Sequence, residues 1–462
     1  MVSIDIGGSA FLTTRPEVIA ASKDGVAWTE GPLWLDDRLL FSDTVEGSLW
    51  EYSNVTGLRR VLRNAGGCAG PTASLADRPL LSRFEEELRK DHTYCPDGQL
   101  EPGPNGNAFD NRTGLVIGAQ HGGRRVVRRD PATLEVVDVL ASSHRGVPLN
   151  SPNDVAVHPA DGAIHFTDPY YGFLEIAKLP LGDHSYTSDK SALGYAGVYR
   201  VAAPKHVGGA DPQSPTLLTT ELERPNGIAF EPSADASGRH AMWVSECCQG
   251  HARTCPANTA RWVRFLPAGD AERADGRHYV RDRMVSWSRA GGGGGCADGF
   301  AMLARPHRPT LLIGACPMGV CVIDTSLIGD AAMIQHVEFT HRTSNVAVGA
   351  DNYVYVTGEG HLWRLPLARD MHEVPWASHE DIITATTHPH NAIMNDYRDT
   401  VPANVEYPPQ HLEHIEMTPW GEAPWSEAHQ AEGLSTRFGE SGGAGRLGAP
   451  QSEDRWDDPD RD

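Results

Sequence analysis

Six oxygen-bearing side chains recur at one point of a repeating pattern: Glu30, Asn105, Asn153, Asn226, Asp298 and Asn345. Each stands just ahead of a short apolar run. The stretches are EGPLW before LLFSD, NGNAF before LVIGAQ, NDVAV before IHFTD, NGIAF before MWVSE, DGFAM before LLIGAC and NVAVG before VYVTGEG. Carboxylates and amide carbonyls are hard donors, suited to Ca²⁺ and open also to Mg²⁺ or Mn²⁺. Glu30, Asn153, Asn226 and Asp298 together offer two carboxylates and two amides. Four such ligands leave coordination positions for water or a substrate carbonyl. A cation of this kind acts as a Lewis acid and lowers the pKa of water, and a neighbouring carboxylate can take the proton. Asp298 is the better candidate for that base. Zn²⁺ is less suited by softness, since no His or Cys stands at these positions, although an all-oxygen site accepts it.

Those side chains converge only if the chain repeats. Each copy continues with a third apolar run: GSLWEYS, RRVVRRD, AGVYRVA, ARWVRFL, GVCVIDT and GHLWRLP. Most copies add a fourth, among them LRRVLRN, LEVVDVL, TLLTT, HYVRDRMVSW and MIQHVEF. Short apolar runs punctuated by turns such as Asp161-Gly162 read as strands joined by hairpins. Six such units predict an all-β fold, a six-bladed β-propeller with four-stranded blades. The first strand of each blade would line the channel, and the residue before it would stand at the channel mouth. Loop-ending Asn and Asp explain one or two copies on their own, but not all six.

The propeller is expected over residues 1–370, with insertions near 65–100, 173–193 and 246–260. A strand within the first 20 residues is expected to complete the last blade, leaving no open edge. The first insertion has helical character at Arg83–Lys90. Residues 371–400 would hold a connection and a further outer strand near Asp381–Ala385. Residues 401–462, rich in Gly, Ser and Asp, read as a disordered acidic tail.

A formal net charge of −21 argues against nucleic acid and anionic membranes as partners. No stretch approaches the roughly 20 apolar residues that span a bilayer. The N-terminal MVSIDIGGSAFLTTRP has neither a basic region nor a continuous apolar core. This leads us to expect a cytoplasmic chain, or a secreted one if the true N-terminus is longer. Without a leader, the eight cysteines default to reduced thiols, although Cys68/Cys95 and Cys316/Cys321 are placed for local disulfides. Cys247, Cys248, His251 and Cys255 form a weak zinc pattern of non-standard spacing.

EGPLW with LLFSD, SPNDVAV with FTDPYYG, PNGIAF and ADGF, in this order over residues 20–365, resemble the regucalcin/gluconolactonase family. This family is also called senescence-marker-protein-like and has fungal lactonohydrolase-like members. The resemblance implies a six-bladed propeller with one divalent cation at the mouth, Ca²⁺ foremost, and hydrolysis of a small-molecule lactone. It implies Glu30, Asn226 and Asp298 as metal ligands, Asn153 beside the metal or the substrate, and Asp298 as general base. Asn105 takes a substrate-facing position. His121 and Arg124 match a His-Gly-x-Arg segment of bacterial gluconolactonases, and Tyr170 would line the pocket. Gln120 stands where those enzymes often carry Glu, and DPYYG replaces DPPYG, which opens the question of sugar-lactone specificity. Two other readings share the site: a calcium- or ligand-binding propeller without turnover, and an isomerase or cyclase of secondary metabolism. The complete set of carboxylates and amides favours the hydrolase.

Overall fold

The computed structural model describes residues 10–11, 15–68, 95, 101–173, 191–203, 212–235, 238–248, 259–269, 278–288, 296–305 and 308–368. The expected helix at Arg83–Lys90, the strand near Asp381–Ala385, most of the insertions and the tail lie outside these residues.

Alternating apolar and polar residues set the strands, and Gly- or Asx-containing turns end them. The result is six antiparallel four-stranded sheets. Blade one is Thr29–Leu35, Arg38–Asp43, Ser48–Ser53 and Gly57–Leu62; blade two is Asn107–Asp110, Leu115–Gln120, Arg125–Arg129 and Val136–Ala141. Blade three is Val155–Val157, Ile164–Asp168, Gly197–Val201 and Thr216–Thr219; blade four is Pro225–Phe230, Met242–Cys248, Thr259–Pro267 and Tyr279–Ser288. Blade five is Phe300–Arg305, Arg308–Cys316, Gly319–Asp324 and Met333–Glu338. Blade six is Thr343–Val348, Tyr353–Gly358 and His361–Pro366, and its outer strand is Glu17–Ala21 from the other end of the chain. That strand pairs antiparallel with His361–Pro366 and brings blade six to four strands like the others, so the two ends of the propeller chain meet in one blade. No α-helix occurs among the described residues, only single 3₁₀ turns. None of their helices is long and apolar enough to cross a membrane.

The first strands contact one another in order, from blade one round to blade six and back to blade one. Between each pair of blades lies one apolar cluster. Leu35, Leu40 and Leu49 meet Val116 and Leu134 between blades one and two. Ile117 and Val126 meet Ile164, Phe166 and Tyr199 between blades two and three. Val198 and Leu218 meet Ile228, Met242 and Phe265 between three and four. Trp243 and Trp262 meet Phe300, Leu312 and Ile323 between four and five. Leu311, Ile313 and Val322 meet Val354, Val356 and Trp363 between five and six. Tyr355 and Leu362 meet Leu39, Phe41 and Trp50 where the ring closes. Burying such side chains contributes about 1.5–3 kcal/mol each, which makes the faces between blades the core of the fold.

The cysteines depart from the reduced-thiol expectation. Cys68 is joined to Cys95, Cys316 to Cys321, and Cys247 to Cys296 across 49 positions of sequence. The last pair was not legible from spacing, because it joins the end of a blade-four strand to the approach of blade five. Cys247 is therefore not available to the weak zinc pattern, and His251 and Cys255 lie outside the described residues. The soft-donor cluster Cys316, Cys321 and His336 likewise has both cysteines joined to each other.

Phe166 is fully buried and stacks on Tyr199 with ring centroids 5.3 Å apart. Phe166→Ala is expected to lower stability by about 3–5 kcal/mol through lost burial and the residual cavity, which denaturant unfolding would measure.

Candidate active site at the channel mouth

The six sequence-selected residues are brought to one level of the ring, all buried, from Glu30 at 4% exposure to Asp298 at 8%. Backbone register sets that level. Asn105, Asn153 and Asp298 donate their backbone N–H to carbonyls of the second strand of their own blades, Ala119, Thr167 and Ala315. At Glu30, Asn226 and Asn345 the ladder is interrupted by a register shift, the device that re-aims a side chain next to a site. Hydroxyls of one blade then hold the carbonyls of these residues in the next: Ser42 on Asn105 at 2.6 Å, Thr167 on Asn226 at 2.6 Å and Ser245 on Asp298 at 2.7 Å.

Close approach requires glycine after the ring residue. Gly31 has φ +48°, and a Cβ there would lie 2.1 Å from the Asn105 carbonyl oxygen. A Cβ on Gly299 would lie 1.9 Å from the Asn345 side chain. Blades three and six break this pattern: Asp154 follows Asn153 and Val346 follows Asn345, where blades one, two, four and five carry Gly.

Asp154 was not singled out as a site residue in the sequence, although that break in the repeat marks it. Its Oδ1 accepts the Val155 N–H at 2.9 Å and its Oδ2 the Ile228 N–H at 3.3 Å, from blades three and four. Asn345 of blade six hydrogen-bonds to it as well, its own Oδ1 being taken by the Val346 N–H at 2.7 Å. A Cβ on Gly106 of blade two would lie 2.1 Å from Asp154 Oδ1. Asp154 therefore reaches across the channel. Burial pushes its pKa up to about 7.

Around it the other carboxyls repel. Burial raises Glu30 well above the usual carboxylate range, and Asp298, Asp154 and Glu101 add to the shift. The Trp28 indole N–H opposes it, donating to Glu30 Oε1 at 3.1 Å. Burial raises Asp298 likewise, with Asp154 and Glu101 adding to the shift, while the Gly299 N–H and the Asn226 amide draw it down. An Asn226 amide nitrogen spent on Asp298 leaves Oδ1 as the atom offered to a cation. Asn153 Oδ1 is buried with no hydrogen-bond partner among the described residues. Buried carboxylates that repel one another, beside an orphaned carbonyl oxygen, fit a hard divalent cation. Glu30, Asn153, Asn226 and Asp298 are the residues that would hold it.

The remaining expected residues fall into two groups. His121 is fully buried, with Nδ1 3.3 Å from the Pro152 carbonyl and Nε2 3.1 Å from Glu101 Oε2. The second contact has ion-pair distance without hydrogen-bond alignment, so Nε2 also counts among the buried atoms lacking an aligned partner. Glu101 comes from the loop before blade two and supplies a carboxylate beside His121, where Gln120 does not. Arg124 instead holds backbone: its guanidinium donates to the Leu149 and Pro148 carbonyls and lies 5.3 Å over the Phe173 ring. Asn105 is buried at its ring position. Tyr170 is half-buried, with its pKa raised by burial to about 12. Tyr171, not Tyr170, hydrogen-bonds Asn226 and is acted on by Asp298.

A six-bladed propeller with a buried, oxygen-only cluster at its mouth is thus the class of protein that fold and site define. Residues 28–237 match the family model described as SMP-30/Gluconolactonase/LRE-like region. The matched span holds Glu30, Asn105, Asn153 and Asn226 and ends before Asp298. A curated relative, gluconolactonase of Zymomonas mobilis, is 29% identical over 224 residues, 48% of this chain and 50% of the relative. The chain thus spans half the length of that relative. Among solved structures, a gluconolactonase from Xanthomonas campestris has 21% identity and TM-score 0.48, covering 79% of this chain and 99% of its own. A calcium-binding protein, regucalcin, from Agrobacterium tumefaciens has 17% identity and TM-score 0.46, covering 76% and 94%.

The raised carboxyls make stability depend on pH. Folded Asp154 holds its proton up to about pH 7, whereas an unfolded Asp releases it near pH 3.9. Its contribution is full below about pH 4 and lost as pH rises through 7. Buried His165, lowered by burial to about 3, acts in the opposite direction, so the variant comparison isolates Asp154. In chelator, Asp154→Asn is expected to lose less stability between about pH 5.5 and 8 than the parent chain, as read from thermal midpoints.

Proposed function

We propose that the chain is a divalent-metal-dependent lactone hydrolase of gluconolactonase type. The observation that carries this reading is the buried oxygen cluster itself. Glu30 and Asp298 are raised by burial and by repulsion from neighbouring carboxylates, and Asn153 Oδ1 is buried and unpaired, in a chain whose matched family model is named for gluconolactonase. Ca²⁺ suits the donor set best. When bound, the cation would supply Lewis-acid polarisation of the lactone carbonyl and acidify water.

The chain's own residues then have distinct work. Asp298 takes the proton of the attacking water; a carboxyl with an elevated pKa is the stronger base once ionised. Asn226, hydrogen-bonded to Asp298, fixes the orientation of that carboxylate. Asn105 and Asn153 supply amide groups for the substrate's oxygens. Tyr171 and His121 bound the same space, and burial of the cluster excludes bulk water. Water adds to the carbonyl, the ring C–O bond breaks, and the leaving alkoxide takes up a proton, giving a hydroxy acid. The released acid is what an assay reads.

A panel of aldonolactones, γ-alkyl lactones and dihydrocoumarin, followed by pH-stat after chelation and add-back of Ca²⁺, Mn²⁺ or Zn²⁺, tests the reading. Cation-dependent acid release is expected from at least one lactone. Asp298→Asn should lower kcat by about 10²–10⁴, the usual worth of a positioned general base. Glu30→Gln should weaken cation binding by about tenfold or more, the equivalent of 1.4 kcal/mol. Folded, cation-loaded protein that opens no lactone would overturn hydrolysis and leave a binding propeller.

A further inference from the structure

Outside the mouth, the side chains that stand out are cationic. A cavity of about 430 Å³ between blades one and two is lined by Arg63, Asn64, Gln120, Arg125 and Arg129, with the exposed Glu135 at its edge. In a chain of net charge −21, three guanidinium groups around one cavity need a reason. Among the described residues, no ion pair joins Arg63, Arg125 or Arg129 to a carboxylate.

The cavity is built rather than incidental. Arg129 is 2% exposed and is fixed through its terminal nitrogens, one donating to the Leu134 carbonyl at 2.7 Å and the other to the Ala65 carbonyl. Gln120 is 2% exposed and donates to the same Ala65 carbonyl at 2.7 Å. Its Oε1 then accepts the Nε–H of Arg125. That single bond sets the plane of the Arg125 guanidinium. Its two terminal nitrogens make no hydrogen bond among the described residues, and they are the pair of donors that grips an oxyanion two-pronged. Burial, with a further contribution from the neighbouring Arg125, lowers the pKa of Arg129 to about 10. Exposed Arg63 adds a third charge at the rim.

We propose that this cavity between blades one and two binds a small oxyanion, a phosphate or carboxylate group, on Arg125 and Arg63 with Arg129 beneath. Its volume suits a small organic acid or phosphate ester. The inference does not rest on the lactonase reading.

Calorimetric titration of the full chain with inorganic phosphate and, separately, with malonate, at fixed ionic strength in chloride, tests it. Saturable binding of at least one anion is expected. Phosphate alone would assign the site to phosphate groups, malonate alone to carboxylates, and both to the shared oxyanion chemistry. Arg125→Gln and Arg63→Gln should each weaken binding at least fivefold with an unchanged thermal midpoint. Glu30→Gln should leave anion affinity as it is, which separates this site from the mouth. Absence of saturable binding by the parent chain, or parental affinity in both arginine variants, would overturn the proposal.

Discussion

One carboxylate holds the mouth together. Asp154 takes the place of a glycine in the blade repeat and puts a buried acid across the channel. It hydrogen-bonds backbone of blades three and four and the Asn345 amide of blade six, and it packs on Gly106 of blade two. It acts electrostatically on Glu30 of blade one and Asp298 of blade five. Every blade therefore meets it in one way or another. A ring of separately positioned loops is converted into a cluster in which each acid feels the others. A hard cation would satisfy that arrangement; the acids alone repel one another.

The rigidity that such a cluster needs comes from the blades. Apolar contacts between neighbouring sheets fix each blade to the next, and side-chain hydroxyls fasten the carbonyls of the ring residues directly. Ser344 donates to the Thr29 carbonyl at 2.6 Å and Thr29 to the Gly358 carbonyl at 3.0 Å, so blades six and one are joined by side chains close to the site. The Glu17–Ala21 strand closes the same blade at its outer edge. Closure and site geometry are thus consequences of one another: a slip at the seam would move Glu30 relative to Asp298.

The blade pattern was plain in the sequence because each strand carries its own alternation and each turn its own Gly or Asx. Even the outer strand contributed by the N-terminus was foreseeable, since the last blade needs it to reach four strands. Glu30, Asn105, Asn153, Asn226, Asp298 and Asn345 were visible for the same reason, being one position repeated. Asp154 was equally exposed to that logic, since it breaks a glycine register, yet it reads as half of an Asn-Asp loop. Glu101 and the Cys247–Cys296 pair could not be read this way. They depend on which loops lie side by side over the mouth, and no period in the chain encodes that. Tyr170 and Tyr171 show the limit at single-residue scale: adjacent identical residues differ only in which one the 3₁₀ turn directs toward Asn226.

The Cys247–Cys296 bond gives the mouth a chemical history as well as a shape. Cys296 stands two positions before Asp298, so the bond fastens the chain immediately ahead of that ring residue. Its partner, Cys247, lies near the end of a blade-four strand, so the tie joins blade four to the start of blade five. Chain produced under reducing conditions would share the blades and their packing but not the tie that fastens the approach to Asp298. Two preparations indistinguishable by overall shape could then differ in competence, with thiol titration telling them apart.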